Sequence, residues 1–390
     1  DNTADADRLI AALRPALPAD TIHIDLGLLR QLPELLRKWN YRLRCTLFRE
    51  PGRWVLTGMA SGDDARPVPG LAVDLGTTRV VLRLIDLANG GTMGEWAFDN
   101  PQAAVGPDVL ARIHYADPPE GLHRLTALII AGLNRAIGDV CRPAGVQPQD
   151  IGAIALAGNT CMTHLFLGLE PRWIIREPYI PAVNRPGVLK AADLGIEVHP
   201  SARVLVFPNI GSYFGGDLIA GILFSKLHQR EAPAVLVDVG TNAEVVMGNR
   251  DWLIGCAGAA GPALESGVTR MGMLAGPGVV DRVSIDRATG RFDIHTIEEK
   301  PPRGICGSGV IDLAAQLFHT GMIDVRGKLV AARCGHRLKV VDGMRHLVVV
   351  SADRSATGMD LTIAQADLDS LVRSKAAMYT ILETLTMTVG

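Results

Sequence analysis

Two short segments carry the same chemistry-bearing pattern. They are Leu71-Ala72-Val73-Asp74-Leu75-Gly76-Thr77-Thr78 and Val235-Leu236-Val237-Asp238-Val239-Gly240-Thr241-Asn242, and they agree almost position by position. Apolar residues precede each aspartate and strand-forming residues follow it. Each segment therefore predicts a tight strand–turn–strand with the carboxylate at the end of the first strand. Glycine at 76 removes the Cβ, so backbone N–H groups can approach a phosphate closely. Thr77 and Thr78 add hydroxyl donors to the same oxygens. A carboxylate repels bare phosphate, so Asp74 and Asp238 make sense only with Mg²⁺ or its water in between. Gly240, Thr241 and Asn242 supply matching groups from the opposite side. A lone copy would read as an ordinary hairpin. Two copies, each opening a lobe, predict a triphosphate–metal complex clamped in one cleft.

Other segments offer weaker chemistry. Gly215-Gly216-Asp217 opens a helix. Asp217 reads first as its N-cap, and as a carboxylate that could orient an attacking water second. Glu244 lies two residues after Asn242, so strand alternation puts both on one face near the cleft. Glycines at 255, 258, 261 and 267, with Gly272 just beyond, form a loop before a helix near Pro262. That loop, with Gly261 in it, could aim N–H groups at an anion or could simply pack closely. Gly304 to Gly309, including Gly307 and Ser308, makes a similar turn into a helix. It lacks the lysine of a P-loop. His164 and Cys161 lie near each other, and a structural histidine and an inert buried thiol are the default readings.

The elements that must position these groups follow from pattern. Residues 1–64 predict a small α+β unit: helices over 4–13 and 28–39, then strands over 42–49 and 53–58 around Pro51-Gly52. A polar stretch, 61–69, reads as a linker. Strands are expected at 71–75, 80–87, 92–98, 151–157 and 204–207, with helices from about 119 to 142 and from 160 to 167. That order argues α/β with a mixed sheet. The pattern then repeats from 235, with strands at 243–247 and 251–254. The remainder reads as Gly-rich turns alternating with helices, ending in a helix over 363–387. Expected boundaries are 1–64, 70–210 and 211–390.

The composition bounds the function. The chain has 390 residues, 48% apolar and 21% charged, with a formal net charge of −2. That balance demands no basic face, so nucleic acid is not the expected main partner. No run of 18 apolar residues lacks charges, so no membrane span is expected. Six cysteines sit far apart with no C-x-x-C, which suits a reducing, cytoplasmic setting and offers no iron–sulfur ligand set. Asp1 at the start and a helical pattern running to the last residue predict a longer polypeptide.

The paired phosphate segments resemble those of the actin-like ATPase superfamily. Within it, Ala157-Gly158-Asn159-Thr160-Cys161-Met162-Thr163-His164-Leu165, Gly215 to Gly221, Gly258 to Glu265 and Gly304 to Gly309 resemble the reductive activators of corrinoid proteins. The resemblance spans about 70–390 and, more weakly, the unit before it. It implies two RNase H-like lobes around a nucleotide cleft, behind a small α+β domain. It implies ATP and Mg²⁺ as ligands, with Asp74, Asp238 and Asp217 catalytic. Gly76, Thr77, Thr78, Gly240, Thr241, Asn242, Glu244, Gly215, Gly216, Gly261, Gly307 and Ser308 would face the nucleotide. It also implies an ATPase that drives electrons uphill from an iron–sulfur cluster to Co(II) in a partner corrinoid (B12-binding) protein. A plant-type [2Fe–2S] domain would lie upstream of these residues. A homodimer stays open.

Two rivals share the fold: a small-molecule kinase, and a nucleotide-dependent binding module without redox chemistry. No sugar-kinase substrate motif stands between the hairpins. The surface around Asn159, Thr160, Met162 and His164 is the expected transmitter of nucleotide state to the partner. The competing reading is that this segment closes the lobe core.

Overall fold

The computed structural model describes residues 2–17, 21–239, 243–258, 271–273 and 275–389. Two compact units result, Asp1–Phe224 and Ser225–Gly390. The first begins with α1 (Asp5–Leu13), β1 (Thr21–Ile24), α2 (Leu26–Lys38), β2 (Leu43–Glu50) and β3 (Arg53–Ser61). The sheet order is β1-β3-β2, with β1 parallel to β3. Leu28, Leu32 and Leu36 recur every helical turn on α2 and meet Leu9, Ile24 and Leu56 in one small core. β1 alternates over Thr21-Ile22-His23-Ile24, but four residues are too short a run to stand out from a loop.

The rest of this unit is built on β4 (Pro69–Leu75), β5 (Arg79–Asp86), β6 (Gly91–Asp99), α3 (Val109–Tyr115), α4 (Pro119–Ala144), β7 (Ala153–Gly158), α5 (Thr160–Leu167), β8 (Gly187–Lys190), β9 (Arg203–Val206) and α6 (Gly216–Ser225). Six strands form one mixed sheet in the order β6-β5-β4-β7-β9-β8. β4 pairs antiparallel with β5 and parallel with β7. It is therefore a central strand, and Leu71, Val73 and Leu75 are almost fully buried against residues of α4 and α5. α6 closes this unit, whereas the expected boundary at 210/211 puts it in the next one.

The second unit opens on the antiparallel meander β10 (Ala234–Val239), β11 (Ala243–Gly248), β12 (Leu253–Gly258). There follow β13 (Val279–Ile285), β14 (Phe292–Thr296), β15 (Gly304–Ile305), α7 (Gly307–His319), α8 (Ala331–Cys334), β16 (Leu338–Val341), β17 (Met344–Val350), β18 (Leu361–Ala364) and α9 (Gln365–Val389). Ile381 and Leu385 of α9 pack on Val245 and Met247 of β11. The region expected to be turns and helices thus holds two further three-stranded sheets, β14-β13-β15 and β16-β17-β18. Some of its strands are very short or continuously apolar, as in Leu347 to Val350, all buried, and show no period of two. β14 does alternate, with Phe292 and Thr296 buried and Asp293 and His295 exposed, and its pattern is legible. Among the described residues no helix is long and apolar enough to cross a membrane.

A buried ionic cluster joins the small α+β part to the six-stranded sheet. Arg203, at the start of β9, is 2% exposed. Its Nε donates to Glu50 Oε1 at 2.8 Å and its Nη1 to Asp25 Oδ2 at 3.2 Å and to the Ser201 carbonyl at 2.8 Å. Burial alone would raise the Asp25 and Glu50 carboxyls. The Arg203 guanidinium outweighs burial, with Lys190 and His23 helping at Asp25 and Arg53 at Glu50, and both carboxyls lie below their ordinary range. Such depressed carboxyls contribute stability above their unfolded-state values, and that contribution is lost as pH falls through the folded ones. The joint is therefore acid-sensitive.

Removing one partner of a buried cluster leaves the others charged and unpaired. Arg203→Met is expected to destabilise the first unit by about 3–5 kcal/mol in urea unfolding at neutral pH. Adding Asp25→Asn and Glu50→Gln should recover part of that loss. A melt of Arg203→Met superimposable on wild type would remove the joint from the account of stability.

Candidate nucleotide site

The first hairpin is shaped by its neighbours on three sides. Asp74 ends β4 opposite Val81 of β5 and Ala157 of β7, and its side chain is exposed at the rim of the sheet. The turn at 76–78 follows. A Cβ on residue 76 would strike the Arg79 carbonyl oxygen, so only glycine closes this turn. Asn159, which caps α5, accepts the Met162 N–H on its Oδ1 at 2.9 Å. That bond fixes the amide the other way round, and Nδ2 donates to Thr77 Oγ1 at 3.0 Å. The Thr77 hydroxyl accepts there, so its own proton is directed elsewhere.

The glycine pair packs on the same spot. A Cβ at Gly215 would collide with the Asn159 backbone and with Asp217 Oδ1. Thr160 Oγ1 donates to the Gly211 carbonyl at 3.1 Å. Three separate sequence segments, 74–78, 158–160 and 211–217, thus converge within the first unit. α6 begins at Gly216, so Asp217 lies inside its first turn and is not the N-cap. Its Oδ1 accepts the Leu218 N–H at 2.8 Å. A carboxylate in a first turn suits the helix dipole.

The 159–164 segment is not the surface expected of it. Thr160 is 2% exposed, and Met162 and His164 are fully buried. His164 Nδ1 lies 2.7 Å from the Thr160 carbonyl, and its Nε2 accepts the Ala182 N–H at 3.0 Å. The proton therefore sits on Nδ1, and burial lowers the ring's pKa, so the imidazole is neutral and structural. Burial pushes the Cys161 thiol up to about 12, which makes it inert. Asn159 alone of these four is partly exposed, and it serves the phosphate turn.

In the second unit Asp238 pairs directly across from Glu244. Two carboxylates thus share one face of β10–β11. Burial pushes the Asp238 carboxyl above its ordinary value although part of the side chain reaches solvent. Gly240, Thr241, Asn242 and Gly261 lie outside the described residues. Gly307 and Ser308 open α7, which packs on β13. The preceding Cys306 N–H donates to the Val280 carbonyl at 3.0 Å. These two residues belong to the β14-β13-β15 layer and not to the β10–β11–β12 meander.

Sequence reasoning missed Asn100, which is 1% exposed. Its side chain donates to the Gly76 carbonyl at 2.9 Å and its backbone N–H to the Thr78 carbonyl at 2.8 Å. The signal was present. β6 runs antiparallel to β5 and ends beside the turn, and Asn100-Pro101 is a turn-initiating pair.

Three families of known proteins match the chain in succession. Residues 1–66 match the RACo linker region, 69–230 the RACo middle region, and 232–390 the C-terminal domain of RACo, the ASKHA domain. A corrinoid activation enzyme of Eubacterium limosum, RamQ, is 32% identical over 94% of this chain and 62% of its own length. A Co(II) methylated amine-specific corrinoid protein reductase of Methanosarcina barkeri is 25% identical over 67% of this chain and 52% of its own. A solved structure of a reductive activator for corrinoid, iron–sulfur protein superposes with a TM-score of 0.91 at 37% identity. It covers the whole of this chain, which spans 62% of that one. The chain thus spans under two thirds of the length of each of these relatives.

A carboxyl raised by burial has a measurable consequence if it faces a metal. A divalent cation favours the ionised form, so binding lowers the Asp238 pKa. Mg²⁺–nucleotide affinity should then rise as pH climbs through the raised value, and binding in that window should release protons. Calorimetry in buffers of different ionisation enthalpy reads this directly. Asp238→Asn should abolish the proton release. Equal release from wild type and variant would assign it to another group.

Proposed function

Because the chain belongs to the RACo family, whose linker, middle and C-terminal ASKHA regions it carries in order, we propose that it is the ATPase portion of a reductive activator. Its partner is a corrinoid protein held as Co(II), which it returns to Co(I). The single observation that carries this reading is the 76–78 turn, with donors aimed outward by Asn159 and Asn100 at the rim of a central strand. Gly76, Thr77 and Thr78 bind phosphate oxygens through backbone N–H and hydroxyl groups. Gly240, Thr241 and Asn242 do the same from the second hairpin. Asp74 and Asp238 hold Mg²⁺ through its waters, Glu244 adds to the negative field beside Asp238, and Asp217 orients the attacking water.

The chain's own residues do not fit an iron–sulfur cluster. All six cysteines are free. Among the described residues no group of three or more His, Cys, Asp or Glu is arranged to hold a metal. In this reading the electrons come from a donor that these 390 residues do not hold, for which a [2Fe–2S] domain is the proposal. Reduction of Co(II) is uphill, and a bound nucleotide can bias it only by favouring one conformational state over another.

Electronic spectroscopy of the corrinoid partner tests this, using the full-length activator, ATP and a chemical reductant. Conversion to Co(I) should require ATP. The Asp74→Ala plus Asp238→Ala double variant should lose both Mg²⁺–ATP binding and conversion. Wild-type nucleotide affinity in the double variant would defeat the site assignment. Conversion without ATP would defeat the function.

A further inference from the structure

We propose that Asn100 is the positioning residue of the phosphate-binding turn, acting through the peptide planes on either side of Thr77 and Thr78. The proposal rests on the nucleotide reading above. A trans peptide points its C=O and N–H in opposite directions. The Gly76 carbonyl faces the buried Asn100 side chain at 2.9 Å, so the Thr77 N–H in the same peptide faces the other way, out of the protein. The Thr78 carbonyl is held at 2.8 Å by the Asn100 backbone N–H, so the peptide that leaves the turn, between Thr78 and Arg79, is fixed as well. One buried residue thus sets the direction of the Thr77 N–H and pins both ends of the Thr77-Thr78 pair without touching a ligand.

Asn100 is itself held in one orientation. Its Oδ1 accepts the Gln102 backbone N–H at 3.0 Å, which leaves Nδ2 for Gly76. The bonds run in one sense: Gln102 N–H to Asn100 amide, Asn100 amide to Gly76–Thr77 peptide, Thr77 N–H outward. Amides aligned in series polarise one another, so the last N–H is a stronger donor than an isolated one. Gln102, fully buried, is anchored in turn. Its Nε2 donates to the Leu125 carbonyl at 2.9 Å and its Oε1 accepts from Arg112 Nη1 at 3.3 Å.

Arg112 anchors the Gln102 side chain. It is fully buried, donates from Nε to the Gly106 carbonyl at 2.8 Å, and has Met162 Sδ at 3.2 Å from Nη1. Its Nη2 is buried with no partner. Among the described residues no carboxylate pairs with it. Burial lowers the Arg112 pKa, with Cys161 and the Asp108 carboxylate acting against that shift, and the guanidinium fixes the Gln102 side chain from behind.

The test measures Mg²⁺–ATP, ADP and adenosine binding to full-length wild type and variants by calorimetry, with melting temperature alongside. Asn100→Ala should weaken both phosphate-bearing ligands about tenfold or more. Adenosine affinity and melting should stay within error, since adenosine has no phosphate to read the turn. Asn100→Asp keeps the shape and the acceptor but loses the donor to Gly76. It should show the same selective loss and carries the test if Asn100→Ala fails to fold. Unchanged ATP affinity, or an equal loss for adenosine, would overturn the positioning role. A wild-type protein that binds no Mg²⁺–ATP would overturn the nucleotide reading and this inference with it. Wild-type binding with unaltered variants would overturn this inference alone.

Discussion

The direction of two peptide planes at the end of one central strand is the constraint on which the candidate site depends. Backbone N–H groups make a phosphate site only if several of them point outward together, and an isolated turn has no reason to hold them so. Here β4 is paired on both sides, so its end is rigid. Glycine at 76 lets the chain close on the Arg79 carbonyl. Asn100 and Asn159, from elements 24 and 82 residues away in the chain, fix the carbonyls and one hydroxyl from behind. Preorganised donors need no rearrangement when charge arrives, and that makes such a site worth more than the same groups in water.

Local stability and site geometry share elements in this unit. β9 supplies Arg203 to the buried ionic joint with the small α+β part, and it pairs with β7, whose end carries Gly158 and Asn159. A shift of the joint would therefore act on the strand that leads to the phosphate turn. The joint is held by charges that need each other to be buried at all, so it is a fixed register and not a soft hinge. Residues 1–61 and the six-stranded sheet are expected to behave as one body for this reason.

The hairpins, the mixed sheet and the segments that meet at the site were legible because their signals are local. Asp-x-Gly-Thr between apolar runs is a strand–turn–strand in any context. What stayed hidden depends on contacts between distant residues. Asn100-Pro101 marks a turn in sequence, but the role of Asn100 arises only because β6 ends beside β4's turn. Thr160, Met162 and His164 looked like a surface because polar residues at a helix start usually are. Burial beneath the 176–184 and 208–214 loops makes them structural. The two sheets after residue 278 were hidden for a different reason. Continuously apolar strands such as Leu347 to Val350 and the two-residue β15 carry no alternation to read, and glycine-rich surroundings suggest turns instead; β14 alternates over only five residues.

The internal repeat conserves a backbone more than it conserves chemistry. Both copies form an antiparallel meander with a helix packed on it, α4 in the first and α9 in the second. The residue opposite the aspartate differs. Val81 faces Asp74, while Glu244 faces Asp238. The second hairpin therefore carries a second carboxylate that the first lacks. The strand faces differ too: Leu71, Val73 and Leu75 are buried, whereas Val235, Val237 and Val239 are 40–48% exposed. β4 has partners on both edges, and β10 among the described residues pairs only with β11. Burial, and not the facing Glu244, is what raises the Asp238 carboxyl. A triphosphate brings its own metal, and a cation between the two carboxylates needs no change of fold.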